Sequence, residues 1–131
     1  MTETERARFD DLLEEAISAL PQGLRALLDV TPVIVEDYPS EQVLREMGVE
    51  RRDELCGLHS GIALTERSVE HSGTLPEDIH LYREGILALA GGWVNDGVED
   101  PVYEEIWVTL LHEMGHHFGL NEDDLAELGY D

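Results

Sequence analysis

Apolar residues recur at helical spacing near the start of the chain. Phe9, Leu12, Leu13, Ala16, Ile17 and Leu20 fall on one face, which predicts a helix over residues 3–20 that Pro21 stops. Leu24, Leu27 and Leu28 continue the pattern for a short second turn. Val30 to Glu36 is β-branched and apolar and predicts a strand, with Pro32 near its start or at a sheet edge. Ser40 is placed to cap a short helix through Met47, and Gly48 to end it. A charged connector over 49–54 leads to a second strand over 55–64. Its glycines, Gly57 and Gly61, suggest close backbone approach or a bulge.

Residues 65–77 read as a polar loop. Residues 78–83 alternate apolar with polar, the pattern of a half-buried strand. Residues 85–90 are apolar but too short to assign. Gly91-Gly92 and Asn95-Asp96-Gly97 mark a loop. Asp100 and Pro101 then open a long helix, acid at the N-cap and proline at the first helical position. Val102, Ile106, Leu110 and Met114, with Tyr103, Trp107, Leu111 and Phe118 beside them, give that helix a wide apolar face. Leu125, Ala126 and Leu128 predict a last short helix ended by Gly129. There is no internal repeat or low-complexity segment.

The long helix carries the candidate chemistry. Its last turns read Leu111-His112-Glu113-Met114-Gly115-His116-His117-Phe118-Gly119-Leu120-Asn121-Glu122-Asp123. Residues four apart share a helix face, so His112 and His116 can offer two imidazoles to one metal ion, with Glu113 beside them to activate a metal-bound water. A catalytic zinc site wants three protein ligands and one open position. Gly119 ends the helix and lets the chain bend back. The spacing then places the third ligand at Glu122, with Asp123 the alternative one residue on. Composition alone would produce the bare two-histidine motif with a chance of about 0.04. The competing reading is a helix with two hydrogen-bonded histidines, a glycine cap and solvated acids. The two-histidine, one-carboxylate set also suits Fe(II).

Other candidates carry less. His117 points about 100° away from His116 on the helical wheel and reads as packing, or as a support to the metal ligands, rather than as a ligand itself. His59, His71 and His80 are scattered, and Cys56 sits in an apolar run where a thiol is inert. Tyr82, Tyr103 and Tyr130 are possible hydrogen-bond donors to an oxyanion.

The 131 residues suit a single domain spanning 1–131, with enough apolar content for an ordinary core. Eight basic residues, all arginine, face thirty acids, for a net charge of −22. That argues against a nucleic-acid partner. It favours solubility, and secondarily the attraction of basic peptides. No apolar run is long enough for a membrane span. The lone Cys56 and the lack of a secretory signal at the N-terminus favour the cytoplasm.

The segment from His112 to Gly119 resembles the zincin-like metallopeptidase family of small bacterial proteins, whose motif is His-Glu-x-x-His-His-x-Gly-x-x-Asp. Residues 58–68 and 75–83 are similar to two strand segments of that family, and the resemblance covers most of the chain. It implies an α+β minimal zincin fold, a small mixed sheet of about three or four strands packed on helices that include the motif helix. It implies Zn²⁺ held by His112 and His116 with Glu113 as general base. Glu122 stands where the family has Asp. The expected activity is zinc-dependent hydrolysis of a peptide or protein substrate, with residues 78–83 offered as a sheet-edge strand for an extended peptide. The alternative is a metal-binding domain that recognises peptides without cutting them; a metal-free interaction protein is the third reading.

Overall fold

A computed structural model describes residues 1–59, 78–95, 97–121 and 123–124, with backbone alone at His59, Val98, His116 and His117. Helix α1 runs Glu3–Ala19. A reciprocal cap starts it: the Glu5 amide donates to Thr2 Oγ1 at 3.1 Å and the Thr2 amide to Glu5 Oε1 at 3.0 Å. The predicted apolar stripe is the buried one, with Phe9, Leu12, Leu13 and Ala16 inside. Helix α2, Gln22–Leu27, buries Leu24. Strand β1, Val33–Glu36, follows. Helix α3, Glu41–Met47, begins with the Val43 amide donating to Ser40 Oγ and ends at Gly48, as the sequence predicts. Strand β2 is Gly57–His59 and strand β3 is Ile79–Tyr82. Helix α4, Arg83–Ala90, starts directly at the end of β3, and a short 3₁₀ turn, Gly97–Glu99, precedes helix α5, Pro101–Phe118.

The described residues form an α+β fold with a three-stranded mixed sheet in the order β1-β3-β2. β1 runs parallel to β3, with Val33 opposite Ile79. β2 runs antiparallel to β3, with Gly57 opposite Leu81. β3 is therefore the interior strand. This corrects the expectation that residues 78–83 form a sheet edge open to a peptide, because the main chain of β3 is paired on both sides. Arg83 belongs to α4 rather than to the strand. Residues 85–90, unassigned from sequence, are also α4. Glycine inside a helix costs about 1 kcal/mol relative to alanine. Gly85 has a reason: a Cβ there would lie 2.1 Å from the Leu55 carbonyl oxygen.

Partners in register share a sheet face, so Ile79, Leu81 and Gly57 lie on one side. On that side α5 packs against β3 and β2, and α1 and α4 pack against α5. Ile79, Leu81, Ile86, Val102, Ile106, Leu110 and Met114 are all fully buried there with the α1 stripe. A polar tie joins three elements at the edge of this core. Arg83 donates to both carboxylate oxygens of Asp10 on α1 and to Asp37 after β1, each at 3.0 Å. Asp37 also accepts from Arg6 Nε at 2.9 Å. No helix among the described residues is long and apolar enough to cross a membrane. The later part of the predicted second strand, the loop over 65–77, and the last helix beyond residue 124 lie outside the described residues.

Candidate metal centre on helix α5

Helix α5 is fixed at its start by Asp100, which is almost fully buried. Its Oδ1 accepts from the Val102 amide at 2.8 Å, and its Oδ2 from the amides of Val94 at 2.8 Å and Asn95 at 2.7 Å. The side chain thus caps the helix and ties down the loop before it, the role predicted for an acid ahead of Pro101. Burial alone would raise the Asp100 carboxyl. The three amides and nearby Arg8 outweigh it and hold the group below its ordinary value of 3.8.

Beyond the cap, α5 divides its faces. Val102, Ile106, Leu110 and Met114 form the fully buried ridge. Thr109 and Glu113, one turn apart, are nearly as buried, at 7% and 8% exposure, and lie beneath β2. Their closeness to the strand is seen at Gly57, where a Cβ would meet Glu113 Cγ at 2.9 Å and Thr109 Cγ2 at 3.0 Å. His112, one residue before Glu113, is exposed. On an α-helix position 116 lies about 40° from position 112 and position 113 about 100° from it, so the three positions share one arc. That arc runs from the exposed side of α5 to the side covered by β2.

Gly119 has φ +65°, and the Leu120 amide donates back to the Gly115 carbonyl at 2.8 Å, ending the helix where the sequence predicts. Asn121 then opens a new turn. Its Oδ1 accepts from the Asp124 amide at 2.8 Å and Asp124 Oδ2 accepts from the Asn121 amide at 2.9 Å. Of the two acids considered as third ligand, one falls on a described residue of this turn. Asp123 is exposed, and Glu122 lies outside the described residues. Among the described residues no three metal-ligating side chains gather. Either predicted set includes the His116 side chain, which is outside them.

The remaining candidates have structural settings. Both ring nitrogens of His80 face carboxylates, Nδ1 at 3.3 Å from Glu36 and Nε2 at 3.5 Å from Asp78. Burial pushes the Cys56 thiol up, and the charges of Glu105 and Glu113 push it further, so it stays a thiol. Tyr82 is buried and stacked on His80; burial first, then Glu36 and Glu113, raises it to about 12, so it keeps its proton. Tyr103 is partly buried against the core, while His71 and Tyr130 lie outside the described residues. Sequence reasoning missed the contact between Gly57 and Glu113, although the glycines of the second strand did signal a close approach.

A helix carrying His-Glu-x-x-His under a small mixed sheet defines a zincin-like class of fold. The sequence profile of the zincin-like metallopeptidase family matches residues 28–130, and the chain belongs to that family. A search of curated proteins gives no match. Membership supports a zinc-linked peptidase activity at the level of the family.

Proposed function

We propose that this chain is a zinc-dependent peptidase in which Glu113 is the general base. The observation that carries the reading is a nearly buried carboxylate, Glu113, next to an exposed imidazole, His112, on a helix anchored in the core. A low-exposure acid on a rigid support suits proton transfer, because its position is set before substrate arrives. The donor chemistry fits the metal: two imidazoles one turn apart at positions 112 and 116, and a carboxylate from the turn after Gly119. In this reading Glu122 is the third ligand, with Asp123 the alternative.

When bound, zinc supplies a Lewis acid that polarises the scissile carbonyl and acidifies water. Glu113 accepts the proton of the attacking water and returns it to the leaving amine. The buried Tyr82 is too weak an acid to compete for that role at neutral pH. Since β3 is interior, an extended peptide would pair with β2, which has a strand on one side only among the described residues and lies over Glu113.

The test is metal content and cleavage measured together. Protein purified without a His-tag or chelator should hold about one zinc per chain, as a three-ligand site requires, and His112→Ala or His116→Ala should lose it. Glu122→Ala against Asp123→Ala decides the third ligand by the same measurement. Glu113→Gln should keep the zinc and lose chelator-sensitive cleavage of a peptide library. Cleavage that survives Glu113→Gln refutes the mechanism. Zinc without any cleavage points instead to a domain that recognises peptides without cutting them.

A further inference from the structure

Gly57 sits at the start of β2, opposite Leu81 of the interior strand. Its φ is not in the left-handed region, so an alanine would fit the backbone there without torsional strain. What excludes a side chain is space. A Cβ on residue 57 would lie 2.9 Å from Glu113 Cγ, 3.0 Å from Thr109 Cγ2 and 3.1 Å from the His80 carbonyl oxygen. The carbonyl belongs to the central strand of the sheet and cannot yield without disturbing pairing on both sides. Thr109 and Glu113 are side chains on one face of α5, and they are the parts able to move. The nearest of the three contacts is the stem of Glu113.

We infer that Gly57 is a positioning residue: by lacking a Cβ, it leaves β2 close over α5 and makes the space in which the Glu113 stem is held. The inference rests on the reading of Glu113 as general base. A side chain at 57 would turn the stem out of its slot and carry the carboxylate away from the arc shared by positions 112 and 116. Misplacement of a reacting group by about 1 Å can cost on the order of 100-fold in rate.

A stability cycle tests the packing without any substrate. Gly57→Ala is made in the wild type and in Glu113→Ala, and thermal unfolding is followed with zinc present. Overpacking of this kind should lower Tm by about 5 °C in the wild type and by less than half of that once the Glu113 stem is gone. Equal losses in the two backgrounds would overturn the inference, since the glycine would then serve Thr109 and the His80 carbonyl. If Gly57→Ala fails to fold, recovery of folding by Glu113→Ala supports it and failure in both backgrounds overturns it.

Kinetics on a library peptide that the wild type cleaves tests the positioning. Gly57→Ala should lower kcat by about tenfold or more at unchanged KM and zinc content. Adding Thr109→Ser, which removes Cγ2 and keeps the hydroxyl, should restore part of the loss. Full turnover in Gly57→Ala, with Glu113→Gln inactive, refutes the role of Gly57 alone. Turnover retained in Glu113→Gln, or no cleavage by the wild type, removes the peptidase reading and the positioning role with it.

Discussion

Replacing Asp100 with alanine should cost about 3–5 kcal/mol of stability. The carboxylate accepts three main-chain hydrogen bonds of 2.7–2.8 Å and is almost fully buried. A hydrogen bond to a charged group contributes about 1.5–3 kcal/mol, and loss of a helix cap about 1–2 kcal/mol. The Val102 amide is buried and would lose its partner outright, whereas water can reach the Val94 and Asn95 amides in part. The full sum of the three is therefore not expected. A chain of this length has a total stability of roughly 7–20 kcal/mol, so the loss is large.

Asp100→Asn should fall between wild type and alanine: one oxygen still accepts, but the amide nitrogen faces donors it cannot satisfy. Urea unfolding of the three proteins, with a common slope, measures the differences. An Asp100→Ala protein within about 1 kcal/mol of wild type would refute the reasoning, since about 1 kcal/mol is what a merely exposed cap contributes. The same residue fixes an acid limb. Its folded pKa is depressed, so its contribution is complete above the ordinary value of 3.8 and is lost as pH falls below that toward the folded pKa. Asp100→Asn should lack this part of the acid loss, and an unchanged acid slope in that variant would contradict the assignment.

Arg83→Leu should destabilise by about 1–3 kcal/mol, because its three donors to Asp10 and Asp37 are lost while Arg6 still holds Asp37. Arg83→Lys should rescue only part, as an ammonium cannot reproduce the fork that meets both oxygens of Asp10; full rescue in urea unfolding would show that charge alone suffices. Cys56 should react with iodoacetamide at pH 8 at least about tenfold more slowly than a free thiol and reach the free rate on denaturation, since its raised pKa leaves little thiolate. Equal rates before and after denaturation would contradict the burial of the thiol.

The helices were legible where both their periodicity and their ends are written locally. Ser40 and Gly48 bracket α3, and Asp100 with Pro101 opens α5, because a cap needs only residues a few positions apart. Sheet neighbours are set by chain crossings instead. Alternation over 78–83 gave the strand but could not say that β1 and β2 would flank it. Helix α4 was hidden for a related reason. Gly85 weakens the local helical signal, and what it accommodates is the carbonyl of Leu55, remote in sequence. The candidate site divides the same way. His112, Glu113 and His116 are read from their spacing on one helix. The close approach of the Glu113 stem to Gly57, on a strand remote in sequence, is not.

The faces of α5 determine how any variant of this site must be interpreted. Met114 and Leu110 are fully buried, so truncating either removes core packing. His112 is exposed, and a substitution there removes little packing, so a loss of zinc or activity at 112 speaks to chemistry. Glu113 stands between these cases. At 8% exposure, with β2 pressed against its stem, its deletion leaves space beneath the strand as well as removing a charge. Glutamine keeps the shape and removes the base. It separates the two effects, whereas alanine is useful only where the space itself is being measured, as in the cycle with Gly57.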